Sequence, residues 1–205
     1  MKLYYSPGAC SLAPHIALRE AGISFAFEKV DLKEKKTEYG ANFRGINPKG
    51  YVRALEVKPG QVMTEVAVVM QYLADAAADK KLAPAADSAE RYEFLTWLNF
   101  VATEIHKGFS PLFKPTVPDE VKETFKGFLG LRLDYVNAEL SKRDFLLASG
   151  YSLADAYLFV TTGWAAKTGV DLNKWPAIVA VRERVAQRPA VQAALSGEGV
   201  NGEGG

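Results

Sequence analysis

The chain opens with a short strand, a tight turn and the start of a helix, in the stretch Lys2-Leu3-Tyr4-Tyr5-Ser6-Pro7-Gly8-Ala9-Cys10-Ser11-Leu12. Cys10 is the only cysteine and lies where the turn enters the helix. The unpaired N–H groups of a first helical turn, together with the helix dipole, favour a thiolate over a thiol. The position therefore predicts a reactive thiol, although free cysteines are also common as small, inert core residues.

Composition excludes several classes of protein. Lys and Arg total 25 and Asp and Glu total 24, so no excess charge indicates nucleic acid or an anionic membrane as a partner. Hydrophobic residues make up 48% of the 205 residues, which is enough for a sizeable core. One cysteine requires no oxidising compartment, and the sequence shows no signal peptide and no membrane-length apolar run. We expect a cytoplasmic protein.

The first part of the chain, residues 1–80, combines short strands with helices. Strand-like patterns occupy residues 2–5, 25–30, 52–57 and 61–63, with a turn at Lys58-Pro59-Gly60. Helices are predicted after Ser11 and from the Thr64-Glu65 pair, where Thr64 can act as a cap. This order predicts a small α/β domain with helices packed on a sheet.

The second part of the chain, residues 87–205, shows no strand pattern and is expected to form an all-helical domain. A long helix is predicted from Asp87-Ser88 to about Lys107, because apolar residues recur on one face at Phe94, Leu98, Val101 and Ile105. Further helices are predicted from about Asp119 to Leu140 and from Ser152, Pro176 and Pro189. A linker at Leu82-Ala83-Pro84 and a frayed tail at Gly197 to Gly205 complete this interpretation.

A polar stripe on the long helix is the second candidate for chemistry. Asn99, Thr103 and His106 are spaced at i, i+4 and i+7, so a regular helix places them on one face. His15, the only other histidine, lies five residues after Cys10 and is poorly placed to pair with the thiol. We therefore expect His106 to be the histidine near Cys10. This set matches no metal-ligand spacing, so no metal site is expected.

Ser152 and Asp155 form a variant of the capping box at the start of a nearly all-apolar helix. Such a helix is expected to be central and buried, and a buried helix end without a cap would be costly. Asp155 is therefore predicted to be structural rather than catalytic.

Together, these segments resemble the bacterial beta-class cytosolic glutathione transferases over essentially the whole chain. The resemblance is carried by Tyr5-Ser6-Pro7-Gly8-Ala9-Cys10-Ser11-Leu12, Asn47-Pro48-Lys49-Gly50-Tyr51-Val52, Thr64-Glu65 with Gln71-Tyr72-Leu73, Trp97-Leu98-Asn99 with Glu104-Ile105-His106-Lys107-Gly108-Phe109, and Ser152-Leu153-Ala154-Asp155-Ala156-Tyr157. The combination of Cys10 with His106 is its most specific feature. It implies a thioredoxin-like N-terminal domain, an all-α C-terminal domain and a homodimer.

The resemblance also implies a binding site for glutathione as co-substrate. Cys10 would face the glutathione sulfur and could form a mixed disulfide with it. The implied glutathione-binding residues are Lys35 for the glycine carboxylate, the Val52 backbone for the cysteinyl unit, Glu65 and Val66 for the γ-glutamyl end, and Asn99, Thr103, Glu104, Ile105 and His106, some of them from a partner subunit. The implied wall for a small apolar electrophile is formed by Phe109, Phe113 and Trp164.

Two residues depart from the family pattern. Arg53 stands where the family has a cis-proline after the valine. A cis bond costs roughly 3–4 kcal/mol before arginine and about 0.5–1 kcal/mol before proline. Val66 stands where serine or glycine is usual, and one lost hydrogen bond is worth roughly 0.5–1.5 kcal/mol. Both changes are expected to weaken glutathione binding without changing the fold.

Three functions follow from these residues. The favoured hypothesis is conjugation of the glutathione thiol to small electrophiles. The alternatives are a glutaredoxin-like thiol–disulfide enzyme with Cys10 as nucleophile, and a non-catalytic protein that binds apolar ligands on the same fold. Tyr5 and Ser11 carry hydroxyl groups that are rival activators of the thiol. We favour packing for Tyr5, and the structural alternative for Ser11 is a hydrogen bond to a local backbone N–H.

Overall fold

Residues 1–200, the part of the chain that the computed structural model describes, contain one five-stranded sheet. Its strands are β1 (Lys2–Tyr5), β2 (Ala26–Asp31), β3 (Lys36–Thr37), β4 (Ala54–Lys58) and β5 (Gln61–Thr64), in the order β3-β2-β1-β4-β5. The central strand β1 is parallel to β2 and antiparallel to β4. The mixed sheet confirms the predicted α/β N-terminal part.

Helices cover this sheet and connect its strands. They are α1 (Leu12–Glu20), α2 (Phe43–Ile46) and α3 (Val66–Ala76). The predicted turn at Lys58-Pro59-Gly60 is confirmed: it joins the antiparallel strands β4 and β5 in a hairpin, with Gly60 at φ +78°. β3 and α2 were not predicted, because both are too short to show a periodic pattern.

The rest of the described chain is helical, as predicted. The first helix, α4 (Ala89–Phe100), continues without a break through a π-helical segment (Val101–His106), α5 (Lys107–Phe109) and a 3₁₀ turn (Ser110–Phe113). The later helices are α6 (Asp119–Leu140), α7 (Leu153–Thr162), α8 (Ala165–Thr168), α9 (Pro176–Ala186) and α10 (Pro189–Glu198). Of these, only α8 was not predicted.

One core joins the sheet-bound helices to the helical part. The predicted apolar seam of Phe94, Leu98, Val101 and Ile105 is fully buried. Burial of each such side chain stabilises the fold by roughly 1.5–3 kcal/mol. Every residue of α7 is buried, which confirms the central helix expected from its nearly all-apolar sequence.

The predicted capping box opens α7. The Asp155 carboxylate accepts the Ser152 backbone N–H at 2.8 Å, and the Ser152 hydroxyl accepts the Ala154 N–H at 3.3 Å. The second Asp155 oxygen accepts the Leu146 N–H at 2.8 Å. Asp155 therefore ties the preceding loop to the helix, in agreement with its predicted structural role.

The segment predicted as a linker, Leu82-Ala83-Pro84, contains no helix or strand, although Leu82 is buried and its carbonyl accepts the Leu153 N–H at 2.9 Å. The expectation of a frayed tail was wrong for its first residues. The tail predicted from Gly197 is helical up to Glu198, because the buried Glu198 carboxylate accepts the Gly8 N–H at 3.0 Å. Residues 201–205 of the predicted tail lie outside the described residues.

Within residues 1–200, no helix has both the length and the apolar composition that are needed to cross a membrane.

Candidate active site

Cys10 and His106 line the same cavity, between the loop that follows β1 and the helical part of the chain. The cavity has a volume of about 340 Å³. Its other lining residues are Ser6, Pro7, Gly8, Ala9, Leu32, Ser110, Phe113, Trp164 and Lys167. The tertiary structure thus brings together the two residues that the sequence singled out, although 96 positions separate them (106 − 10).

The Cys10 thiol is more buried than its sequence position suggested. It lies one residue before Ser11, the N-cap of α1, as predicted, but only 8% of the residue is exposed. Burial raises the pKa of the Cys10 thiol to about 11, and the nearby charge of Arg53 opposes this rise only in part. The expectation that the helix start would favour a thiolate was therefore wrong for the unliganded chain, because desolvation outweighs the helix terminus.

His106 is buried at the wall of the cavity. Its Nδ1 lies 2.7 Å from the Tyr157 hydroxyl, and its ring packs edge-on against Trp164 with centroids 5.0 Å apart. Burial lowers the pKa of His106 to about 3, with smaller contributions from the charges of Arg53 and Lys107. The imidazole is therefore neutral at neutral pH.

Hydrogen bonds from distant elements hold the loop before Cys10. The Gly8 N–H donates to Glu198 of α10, and the Gly8 carbonyl accepts the Trp164 indole N–H at 2.9 Å. Gly8 has φ +68°, a conformation that favours glycine. The Ser11 hydroxyl accepts the Ser6 N–H at 3.2 Å, which is the local hydrogen bond of its structural alternative.

Tyr5 packs in the sheet–helix interface as predicted, with its ring edge-on to Phe27 at 5.1 Å. His15 is also fully buried and lies outside the lining of the cavity, in agreement with the expectation that it does not pair with the thiol. Its Nδ1 lies 2.9 Å from Glu198, and its Nε2 accepts the Arg19 Nε–H at 3.0 Å.

Arg53 takes part in an ion-pair cluster at the start of α3. The described residues contain no cis peptide bond, so the bond before Arg53 is trans. The Arg53 guanidinium donates to Glu65 at 3.2 Å and stacks over the Tyr51 ring at 4.8 Å, and Lys49 donates to the other Glu65 oxygen at 2.8 Å. Lys49 and Arg53 lower the pKa of Glu65. The Glu65 backbone has φ +71°, which is rare for a side-chain-bearing residue.

The other predicted residues for the peptide ligand lie around this cluster. Val52 is buried, and its backbone N–H and carbonyl make no hydrogen bond within the described chain. Lys35 donates to the Gly50 carbonyl at 3.0 Å, two positions before Val52. Val66 is the first residue of α3, and its side chain is buried.

The polar stripe of the long helix does not form one face. Asn99 and Thr103 are exposed and, with Glu104, line a surface groove between α4 and α6, whereas His106 is buried and faces the Cys10 cavity. The reason is the π-helical segment, whose i→i+5 hydrogen bonds place more residues in each turn and rotate His106 away from Asn99. Ile105 lies in the core and outside the cavity lining.

The three predicted aromatic residues pack together beside the cavity. Trp164 lies between Phe109 and Phe113, with ring centroids 6.0 Å and 5.7 Å away and edge-on geometry in both pairs. Phe113 is 47% exposed and Trp164 is 7% exposed, and both line the cavity, whereas Phe109 is fully buried behind Trp164.

Sequence reasoning missed several residues that shape this site. Tyr157 and Glu198 contact it through hydrogen bonds from distant helices, and Leu32 and Lys167 line the cavity. No local pattern indicates these contacts, because each depends on how two remote segments pack. Within residues 1–200, no group of three or more His, Cys, Asp or Glu residues could hold a metal ion.

The chain matches two sequence-family models in register. Residues 8–76 match the glutathione S-transferase N-terminal domain, and residues 100–189 match the glutathione S-transferase C-terminal domain.

Individual proteins are similar over almost the whole chain. Glutathione S-transferase GstA of Escherichia coli O157:H7 is 46% identical over 98% of this chain and 100% of its own length. A sphingomonad glutathione S-transferase solved in complex with glutathione is 46% identical, with a TM-score of 0.94 over 98% of this chain and 100% of that one. The bacterial beta-class enzyme of Sphingomonas chungbukensis is 44% identical, with the same TM-score and coverage.

Proposed function

The chain belongs to the glutathione S-transferase family, within its bacterial beta class, and on that premise we propose how its residues divide the work of the enzyme. Its activity is the conjugation of the glutathione thiol to an electrophile. The observation that carries the proposed site is the shared cavity of Cys10 and His106. We propose that this cavity receives the sulfur of glutathione and the carbon atom that it attacks.

The peptide part of glutathione would lie along the loop before β4 and the start of α3. The unpaired Val52 backbone can exchange hydrogen bonds with the cysteinyl unit, as an added strand does. The Glu65 carboxylate can accept hydrogen bonds from the γ-glutamyl ammonium group of glutathione. The free N–H groups at the start of α3, including that of Val66, can donate to the carboxylate of the same γ-glutamyl unit. Lys35 supplies a cation for the glycine carboxylate.

Arg53 and Lys49 weaken this site as it stands, because both already occupy the Glu65 carboxylate. An incoming ammonium group must compete with two cations for that acceptor. We therefore propose that this chain binds glutathione less tightly than a relative with proline in place of Arg53.

In the reacting cavity, His106 would donate a hydrogen bond to the glutathione sulfur, and Cys10 would contact it. In conjugation with an aryl chloride, the glutathione sulfur forms a bond to the electrophilic carbon, the carbon–chlorine bond breaks with release of chloride, and the thiol proton goes to solvent. Because burial keeps the Cys10 thiol protonated at neutral pH, we propose that Cys10 is a contact residue in conjugation and not its nucleophile. Thiol–disulfide exchange at Cys10 would require oxidised glutathione, which loses one glutathione thiolate as the mixed disulfide forms.

The second substrate is proposed to be a small apolar electrophile. Phe113 and Trp164 present aromatic surface to the cavity, with Phe109 behind them, and the cavity volume of about 340 Å³ limits the size of the substrate. Lys167 at the rim can stabilise a polar or anionic substituent on it.

Three broader features remain proposals: the division into domains at residues 1–80 and 87–205, a homodimer, and a cytoplasmic location. The dimer is supported by the groove between α4 and α6, where the apolar surface of Leu131, Tyr135 and Tyr92 is exposed. Asn99 and Thr103 lie on this groove and would meet the site of a partner subunit. The balanced charge and single cysteine are compatible with the cytoplasm.

The test combines retention on immobilised glutathione with the rate of conjugation to an activated aryl chloride. We expect retention and a conjugation rate that saturates with glutathione. S-methylglutathione, which lacks the thiol, should compete for binding without reacting. Absence of binding at millimolar glutathione would contradict the proposal. The Cys10→Ala variant should keep part of the conjugation activity, and complete loss would show that Cys10 is essential to it.

A further inference from the structure

Tyr157 is linked to the candidate active site by a hydrogen bond to His106. Its ring lies in α7 with 1% of the residue exposed, and its hydroxyl lies 2.7 Å from His106 Nδ1. The hydroxyl has no other hydrogen-bond partner within residues 1–200. Tyr157 is outside the lining of the cavity, and His106 is the cavity residue to which its hydroxyl is hydrogen-bonded.

The direction of this hydrogen bond follows from the donors and acceptors that are present. If His106 donated its Nδ1–H to the tyrosine oxygen, the buried Tyr157 O–H would be left without an acceptor, which is costly. If Tyr157 donates to Nδ1, both groups are satisfied. The neutral imidazole then carries its proton on Nε2.

The Nε2–H of His106 is consequently a free donor at the cavity. Within the described residues, Nε2 has no hydrogen-bond partner, and it is not fully buried. It must therefore remain accessible, and the cavity beside Cys10 is the space that His106 lines. A donor held in this way is pre-oriented for an acceptor that enters the cavity.

We propose that Tyr157 is a positioning residue, whose hydroxyl fixes His106 as the Nε2–H tautomer and aims that N–H at the sulfur of bound glutathione. This inference rests on the proposed function, because it takes the ligand from there. It assigns His106 the role of a hydrogen-bond donor to a thiolate and excludes Nε2 as the base that removes the thiol proton. Removal of the Tyr157 hydroxyl then raises the pKa of the bound thiol.

The second histidine provides an internal reference of opposite tautomer. Arg19 donates to His15 Nε2, so the proton of His15 is on Nδ1, where it donates to Glu198. The chain contains only these two histidines. A ¹⁵N-labelled histidine sample therefore gives two assignable imidazole rings, one in each neutral tautomer.

The direct test is the ¹⁵N–¹H correlation spectrum of the two imidazoles in the full unliganded chain at neutral pH. We expect a protonated Nε2 and an acceptor Nδ1 for His106, with the reverse for His15. A protonated Nδ1 on His106 would overturn the inference. This readout needs no glutathione, so it is independent of whether the proposed function holds.

The functional test is a double-mutant cycle on kcat/KM and on the pKa of the bound glutathione thiol. Tyr157→Phe alone should lower kcat/KM roughly 3- to 10-fold, the effect of one hydrogen bond, and raise the thiol pKa. In a His106→Asn background, the same change should have less than about a twofold effect, because the donor that it positions is already lost. Tyr4→Phe removes a hydroxyl that donates to Glu56 within the sheet and lies outside the cavity lining, so it is the matched control and should leave both values unchanged.

The outcomes of these tests distinguish failure of the positioning role of Tyr157 from failure of the proposed function. Equal effects of Tyr157→Phe in both backgrounds would overturn the positioning role and indicate general destabilisation. Failure of the wild-type chain to bind glutathione would contradict the proposed function, whatever tautomer the spectrum shows. If Tyr157→Phe does not fold, Tyr157→Met, which keeps the apolar volume, takes its place in the same cycle.

Discussion

The Cys10 sulfur lies where two physical effects on its ionisation oppose each other. The helix start and the charge of Arg53 favour the thiolate, whereas burial favours the neutral thiol. Burial has the larger effect, and it cannot be judged from the neighbouring residues in the sequence. The interactions of Arg53 cannot be judged from neighbouring residues either, because its side chain forms an ion pair with Glu65, which is 12 positions away.

The raised pKa predicts slow alkylation of Cys10 by iodoacetamide at pH 7. The rate should be below that of free glutathione and should increase with pH up to about 11, because only the thiolate reacts. The same chain in denaturant, where Cys10 is solvated, is the control and should react at an ordinary rate. A plateau near pH 7 in the folded chain would refute the prediction.

Replacement of Arg53 by proline should raise both stability and glutathione affinity. Proline reduces the conformational entropy of the unfolded chain, which is worth about 0.4–1 kcal/mol, and the substitution releases Glu65 from one cation. Thermal unfolding and a glutathione titration measure the two effects. Arg53→Ala removes the charge without constraining the backbone, so it separates the effect of the lost ion pair from the effect of proline on the backbone. Unchanged or lower affinity in Arg53→Pro would show that the loop is already well formed.

At the scale of elements, two local features of the helices position the site: a change of helix type before α5 and the cap at the start of α7. The π-helical segment before α5 turns His106 towards the Cys10 cavity while Asn99 stays on the surface. The capping box of Ser152 and Asp155 fixes the start of α7, the helix that carries Tyr157. The cap was predictable from adjacent residues, whereas no sequence signal identified the change of helix type.

Asp155→Ala should destabilise the fold by roughly 2–5 kcal/mol, because it leaves the Leu146 and Ser152 N–H groups buried without an acceptor. Burial raises the pKa of Asp155 to about 6. The Asp155 carboxyl group therefore binds its proton more tightly in the folded state than in the unfolded state. Its contribution to the free energy of unfolding declines as pH rises from about 4 to about 6. The cost of the substitution should thus be larger at pH 4 than at pH 7.

Chemical denaturation at both pH values measures that cost. Asp119→Ala, which removes an exposed carboxylate from the first turn of α6, is the matched control and should change stability by less than about 0.5 kcal/mol. A cost equal to that of the control would contradict the structural role of Asp155.

At the scale of the whole molecule, contacts between the two ends of the chain complete the site. Helices α1 and α10 pack together, and Glu198 joins His15 to the Gly8 loop at the cavity. Trp164 bonds to the same loop from the helical part. The cavity therefore belongs to both parts of the chain, and neither part alone would contain it.

The groove between α4 and α6 predicts self-association through that face. Leu131 is 60% exposed there, and Leu131→Glu should halve the mass in solution by placing a charge in the apolar contact. Size-exclusion chromatography with light scattering measures the mass. Tyr39→Glu, at an 80% exposed position outside the groove, should leave the mass unchanged. A wild-type chain that runs as a monomer would contradict the prediction.

Most helices and strands could be predicted because their signals are local. A few neighbouring residues were enough to predict the apolar seam with Phe94 and Leu98, the cap at Ser152 and the turn at Gly60. The short β3 and α2 were missed because two to four residues carry no period. At the site, Cys10 and His106 were identified by residue type and by resemblance, but Tyr157 and Glu198 were not, since their roles depend on contacts across the fold.

The sequence by itself determined the succession of strands and helices, the buried face of each, and the family, because periodicity, caps and motifs are properties of neighbouring residues. Only the tertiary structure decided the ionisation of Cys10, the tautomer of His106 and the partners of Arg53. Desolvation and hydrogen bonding depend on which remote atoms surround a group, and chain packing alone brings those atoms together.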